Sequence, residues 1–213
     1  VYRWENPSDN ETLDYCLYSI QVLLLELGSS LEAVGLTDLD VDFSQFDLNQ
    51  VDEFRMLPTG PPYDPATRNK LTQEQVALFD SVVESLQCGA RRLIFLDGPG
   101  GSGKTFLLNA LLAYCEHHSF KQLAVSSSGI AALLLRNGAT AHSALGIPLR
   151  VDQESTCAWL PSDKKAQKLL DLDLIIWDEI GMQHKHAVET VDHSLRDLRN
   201  SQEPFGGISV LFA

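Results

Sequence analysis

An open α/β sheet with mostly parallel strands is the fold class this sequence predicts, and three observations predict it. The stretch Gly98-Pro99-Gly100-Gly101-Ser102-Gly103-Lys104-Thr105 follows a short apolar run, Leu93-Ile94-Phe95-Leu96-Asp97, and opens a helical pattern. A second apolar run, Leu174-Ile175-Ile176-Trp177, ends in the adjacent carboxylates Asp178 and Glu179. From Leu71 onward helical and strand periodicities alternate, as they do in successive βα units.

The elements follow in order. Leu13, Cys16, Leu17, Ile20, Leu23, Leu24 and Leu27 form the apolar stripe of a helix over residues 11–27, with Ser8 and Glu11 spaced as a capping box and Gly28 as its stop. A short second helix over 30–34 fits the residues after it. Pro58, Pro61, Pro62 and Pro65 then break the pattern and place a domain boundary near residue 62. Residues 1–62 are therefore expected to form a small acidic helical segment, and 63–213 the α/β domain. Within it, a helix over 73–88 buries Val76, Phe79, Val82, Val83 and Leu86 and closes at Gly89. A strand over 92–97 feeds the glycine loop, and the next helix packs Phe106, Leu107, Leu111 and Leu112. Strand 121–126, helix 129–136 ending at Asn137-Gly138, strand 173–178, helix 184–199 and a last strand over Ile208–Ala213 complete the pattern. Val1 in place of Met, and a final strand without a following turn, lead to the expectation that the chain is a fragment of a longer polypeptide.

Composition narrows the classes. A chain of 213 residues with 44% hydrophobic and 21% charged residues has the make-up of an ordinary globular protein with a sizeable core. The net charge of −13 argues against strong electrostatic capture of nucleic acid by this piece alone. The charge is uneven, however: residues 1–70 hold 4 basic and 13 acidic groups, whereas 71–213 hold 12 and 16. Cys16, Cys88, Cys115 and Cys157 lack any C-x-x-C spacing, so neither a zinc site nor a redox pair is indicated, and they are read as reduced thiols of an intracellular protein. His184, His186 and His193 are read as surface or structural histidines. No long apolar run or signal-peptide pattern suggests a membrane partner.

The glycine loop has the spacing of a Walker A phosphate loop between a strand and a helix. Its glycines admit positive φ and close backbone approach, so successive amides can point into one concavity suited to a polyphosphate. The helix N-terminus adds unpaired N–H groups and partial positive charge. Gly98, Pro99, Gly100, Gly101, Ser102, Gly103, Lys104, Thr105 and Phe106 are thus the candidate ATP contacts, with Lys104 reaching the β- and γ-phosphates and the Thr105 hydroxyl placed for magnesium. Asp178 and Glu179 have the form of a Walker B. Asp178 is expected to hold Mg2+ on a strand adjacent to the loop, and Glu179 to act as the general base.

Further segments carry a resemblance. Leu71-Thr72-Gln73-Glu74-Gln75 resembles the Q motif of helicases, whose Gln pairs with adenine, yet Thr72 and Gln75 also have capping-box spacing, and both readings stay open. Ser126-Ser127-Ser128-Gly129-Ile130-Ala131-Ala132, followed by Gly138-Ala139-Thr140-Ala141-His142-Ser143-Ala144-Leu145-Gly146-Ile147, resembles motif Ia of the Pif-type (petite integration frequency) DNA helicases, relatives of RecD. Asp178-Glu179-Ile180-Gly181-Met182 is similar to that family's motif II, and Phe205-Gly206-Gly207 to the approach to motif III. Two departures stand out: Gly181 replaces the usual Ser, and the chain stops before the Gly-Asp-x-x-Gln of motif III.

The resemblance covers residues 71–213 and implies a RecA-like P-loop NTPase fold, here truncated at motif III. It implies an ATP-dependent 5′-to-3′ DNA helicase with Lys104, Asp178 and Glu179 as catalytic residues. Ser128, Gly129, Thr140, His142 and Ser143 would touch single-stranded DNA. It also implies duplex junctions and a second RecA-like domain of the same parent chain as partners, a nuclear or mitochondrial location, and roles in repair, recombination and telomere maintenance. The N-terminal segment resembles, in composition only, the stretch before the helicase core in Helitron-related proteins. Two other classes remain: a different P-loop ATPase such as an AAA-type machine, and an inactive transposon-derived nucleotide-binding remnant.

Overall fold

The computed structural model describes residues 61–213, and outside them only Ile20, Leu31 and Gly35. The predicted helices over 11–27 and 30–34, with the Ser8–Glu11 cap and the Gly28 stop, otherwise lie outside the described residues. Contacts divide the chain into Val1–Leu57 and Pro58–Ala213, and the architecture that follows belongs to the second unit.

Five strands, β1 (Leu93–Phe95), β2 (Gln122–Ser126), β3 (Ala139–Thr140), β4 (Leu174–Asp178) and β5 (Ser209–Phe212), form one sheet in the order β1-β5-β4-β2-β3. Every pairing is parallel. Six α-helices cross between or flank them: α1 (Gln73–Cys88), α2 (Lys104–His117), α3 (Gly129–Leu134), α4 (Ala141–Leu145), α5 (Lys164–Leu170) and α6 (Lys185–Leu198). The predicted parallel α/β fold is thus present.

Side-chain alternation along β4 shows how the layers are held. Leu174 and Ile176 enter the core with Phe79 and Val82 of α1 and Leu107, Leu108 and Leu111 of α2. Ile175 and Trp177 enter the opposite core with Leu145 of α4, Leu169 of α5 and Val191 and Leu195 of α6. A strand covered on both faces must be apolar at every position, which is why the sequence shows an unbroken run there instead of alternation. Each such buried side chain contributes about 1.5–3 kcal/mol relative to exposure.

The ends of the helices follow local chemistry. The Thr72 hydroxyl accepts from Gln75 N–H and the Gln75 side chain accepts from Thr72 N–H, completing the predicted capping box of α1, while Gly89 closes the helix at φ 68°. Helix α3 ends at Leu134 and α6 spans 185–198, each slightly shorter than the sequence pattern suggested.

One expectation is corrected. The strand bearing Asp178 is not adjacent to the strand that feeds the phosphate loop, because β5 pairs with both and lies between them. The final apolar run occupies the interior of the sheet, Val210 and Leu211 being wholly buried, whereas Leu93 and Phe95 of the edge strand β1 remain 51% and 68% exposed. Strand β3, helices α4 and α5 and the short 3-10 turns were not anticipated as separate elements.

The turn Pro204–Gly207 leads the chain from α6 into β5, and it is tightly specified. Phe205 takes φ 52° while its N–H donates to Asp192 at 2.6 Å. Gly206, at φ 62°, would place a Cβ 2.5 Å from Leu195 O and 2.8 Å from the Arg199 Cδ. Backbone strain and overlap with a main-chain carbonyl then act together. Gly206→Ala is expected to destabilise the protein by about 2 kcal/mol or more, read by denaturant unfolding; a variant as stable as the wild type would contradict this account of the turn.

Candidate nucleotide site and adjoining nucleic-acid surface

The glycine loop leaves β1 at the carboxyl end of the parallel sheet, the edge where ligands of such sheets bind. Gly101 and Gly103 sit at φ 77° and 83°, conformations that a side chain would strain. A Cβ on Gly98 would come 3.0 Å from Ser102 Oγ, so the first glycine permits the loop to fold back on itself. Pro99 O accepts from Ser102 N–H at 3.2 Å, closing the turn. Pro99, Gly100, Gly101 and Ser102 are exposed, so the loop faces solvent and is not packed into the interior.

The loop and the start of α2 form one donor surface. The first intrahelical bond of α2 runs from Leu107 N–H to Gly103 O, leaving the amides of Lys104, Thr105 and Phe106 without an intrahelical acceptor. Lys104 Nζ lies over the loop, donating to Gly98 O at 2.5 Å and Pro99 O at 3.3 Å. An ammonium parked on two carbonyls can exchange them for phosphate oxygens with little movement of its stem. Thr105 follows as the second residue of α2, half-buried. The Phe106 side chain lies elsewhere: it lines a groove of about 390 Å³ with Tyr63, Asn109 and Leu134, to which no residue of Gly98–Lys104 contributes. Only its amide faces the loop's task.

Asp178 and Glu179 stand at the same carboxyl end of the sheet, at the end of β4. Two strand spacings separate β4 from β1, about 10 Å at the usual ~4.8 Å each. Between them ends β5, tied to both neighbours: Phe212 O accepts from Leu96 N–H, and Ala213 N–H donates to Trp177 O. Asp178 is buried and its Oδ1 accepts from Glu179 N–H at 3.0 Å, whereas Glu179 is exposed. Glu179 takes φ 55° and ψ 40°, a left-handed conformation that costs a non-glycine residue about 1–2 kcal/mol. The turn is locked in place because Ile180 N–H donates to Ala213 O at 2.9 Å. The result is an inward carboxylate beside an outward one.

Gln75 joins α1 to this site. Its Oε1 accepts from Thr72 N–H, and its Nε2 donates to Ser102 O, both at 3.0 Å. The amide nevertheless keeps one lone pair and one N–H unused, so capping does not consume the pair of groups an adenine edge requires.

The adjoining surface is built at the ends of β2 and β3. Ser126 pairs in register with Thr140 and with Asp178, and Ser127 N–H donates to Asp178 O at 3.2 Å. Ser128 Oγ caps α3 by accepting from Ala131 N–H, and Thr140 Oγ1 caps α4 by accepting from Ser143 N–H. Each hydroxyl proton stays available to donate. Gly129 is exposed, with its absent Cβ 4.0 Å from Thr140 Cγ2, and His142 and Ser143 are half-buried on α4. The structure thus brings Ser128, Gly129 and Thr140 together and leads on to His142 and Ser143.

Sequence reasoning missed two members of this neighbourhood. Ser127 carries a buried hydroxyl without a hydrogen-bond partner beside Asp178. Lys165, on α5, donates to Ser143 O at 3.0 Å. Both depend on long-range placement and leave no local signal. Two of the three histidines have local partners, His186 Nδ1 meeting Glu189 at 2.6 Å and His184 Nδ1 accepting from His186 N–H, and His193 is exposed. Among the described residues no group of three His, Cys, Asp or Glu side chains could hold a metal ion, and no helix is long and apolar enough to cross a membrane.

A phosphate loop on a RecA-like parallel sheet, with a buried–exposed carboxylate pair at the same edge, defines a P-loop nucleotide-binding domain. The profile described as PIF1-like helicase matches residues 70–213, and the chain belongs to that family. A protein of Psychrobacter described as ATP-dependent DNA helicase Pif1 is 36% identical over 122 residues, covering 56% of this chain and 18% of that protein. The human ATP-dependent DNA helicase PIF1 is 28% identical over 148 residues, covering 69% of this chain and 22% of its own length. The crystal structure of Bacteroides Pif1 bound to ssDNA superposes with a TM-score of 0.56 at 32% identity, covering 67% of this chain and 31% of that one. The same helicase in complex with ADP-AlF3 and ssDNA gives a TM-score of 0.55 at 32% identity. The chain spans about a fifth of the length of these curated relatives.

Proposed function

We propose that this chain is the first RecA-like domain of an ATP-dependent DNA helicase that moves 5′ to 3′ on single-stranded DNA and opens duplex junctions. The observation that carries the reading is the common edge of the sheet, where the loop after β1, the acids after β4 and the hydroxyl-bearing turns after β2 and β3 converge. The Ser127 N–H bond to Asp178 O joins the last two directly.

The loop amides, the first amides of α2 and Lys104 hold the triphosphate and stabilise charge on the transferring phosphoryl group. Gln75 presents its unused lone pair and N–H to the adenine edge. The hydroxyl of Thr105 and the buried carboxylate of Asp178 are oxygen donors of the kind magnesium takes, and would hold an Mg2+ ion that, when bound, neutralises charge on the phosphate oxygens. Glu179, exposed and one residue further on, takes a proton from the attacking water. Ser128, Gly129, Thr140, His142 and Ser143 grip the sugar-phosphate backbone, which positions the strand without reading its sequence.

A second RecA-like domain of the parent protein closes on the nucleotide in this scheme, so the isolated chain hydrolyses ATP slowly. Nuclear or mitochondrial roles in repair, recombination and telomere maintenance, and descent from a Helitron-like element, belong to the same proposal by family likeness. Phosphate release by the two-domain parent, measured with and without oligothymidine, is the test. The helicase reading expects stimulation by the oligonucleotide; a rate indifferent to it favours another kind of P-loop ATPase.

A further inference from the structure

The cationic helix α5 abuts the surface just described, and its second residue is fixed there. Lys165 is half-buried, and its Nζ donates to Ser143 O at 3.0 Å, across 22 positions of sequence. Ser143 is itself held to Thr140, whose Oγ1 accepts from its N–H at 3.3 Å. The ammonium is therefore anchored on the same turn that carries Thr140, His142 and Ser143.

Charge and hydrogen-bond capacity both leave Lys165 incomplete. It forms no ion pair with a carboxylate among the described residues. One of its three N–H donors goes to the Ser143 carbonyl, and two remain. A half-buried ammonium whose one hydrogen bond goes to a neutral carbonyl keeps both charge and donors for an anionic ligand. The surrounding domain is acidic, with 12 basic and 16 acidic residues over 71–213, yet Lys164, Lys165 and Lys168 fall within five consecutive positions.

We propose that Lys165 is a phosphodiester-contacting residue of the single-strand surface, carrying the backbone contacts of Thr140, His142 and Ser143 onto α5. The proposal rests on the reading of that surface given above. Its contribution is sequence-independent grip: a pre-oriented cation in a domain whose overall charge repels the ligand.

Binding of oligothymidine to the 213-residue chain, followed by fluorescence anisotropy across a salt series, tests it. Each single-strand phosphate neutralised adds about 0.7 to the slope of log affinity against log salt, so Lys165→Gln is expected to lower the slope by about 0.7. Lys165→Arg, which keeps the charge, retains the wild-type slope. A wild-type slope in Lys165→Gln, with lowered thermal stability, would make Lys165 a mere tether of Ser143 and overturn the proposal. A wild type that binds oligothymidine without salt dependence would instead overturn the surface reading itself, an outcome distinct from a slope shared by wild type and variant.

Discussion

Glu179→Gln is expected to leave ATP affinity intact while lowering turnover by about 10²–10⁴-fold, the usual worth of a positioned general base. The substitution is close to isosteric and the side chain is exposed, so no packing is lost. The left-handed turn is held by two backbone amides, Ile180 N–H donating to Ala213 O and Glu179 N–H to the Asp178 side chain, and neither bond involves the side chain of Glu179. What disappears is the capacity to accept a proton. Steady-state phosphate release and nucleotide binding, each measured beside the unsubstituted protein, separate the outcomes. Unchanged turnover, or lost binding, would remove Glu179 from the role of base.

Lys104→Ala is expected to weaken both binding and turnover. Hydrogen bonds to a charged group are worth about 1.5–3 kcal/mol, which corresponds to roughly a 10- to 100-fold loss of ATP affinity. Turnover falls further, by about 10²–10³-fold, when a donor aimed at developing charge is removed. Lys104 Nζ bonds Gly98 O and Pro99 O, so the variant also frees the loop's carbonyls. The loop's shape nonetheless persists through Gly101, Gly103 and the Ser102–Pro99 turn, which the substitution does not touch. Affinity for a fluorescent ATP analogue, measured beside thermal stability, distinguishes lost contacts from lost folding. Wild-type affinity in a folded Lys104→Ala protein would contradict the cradle described here.

The legible parts of this molecule were those whose chemistry is local. The phosphate loop announces itself because glycines, lysine and threonine must be consecutive to present successive amides. Strand β4 does so because burial on both faces demands an unbroken apolar run. The Thr72–Gln75 cap was equally readable, but the bond from Gln75 to Ser102 O, 27 positions away, was not. Strand order escaped for a related reason: parallel strands joined by crossover helices carry no hairpin register, so nothing near Ser209–Phe212 says that β5 enters between β1 and β4. Helices α4 and α5, of 5 and 7 residues, are too short to show periodicity. Of the candidate site, the nucleotide side was largely visible in sequence. Lys165 was not, because its neighbour Ser143 is reached only after the chain has folded.

Magnesium dependence of ATP affinity in Asp178→Asn, by isothermal titration calorimetry beside the wild type, tests most directly whether the loop and the carboxylate pair form one site. Asparagine keeps an Oδ1 acceptor for the Glu179 N–H, so the turn survives while the charge is lost. The wild type is expected to bind ATP more tightly with Mg2+ than without it, and the variant to lose that gain. A variant that gains as much from Mg2+ as the wild type would place Asp178 outside the nucleotide site and contradict the account.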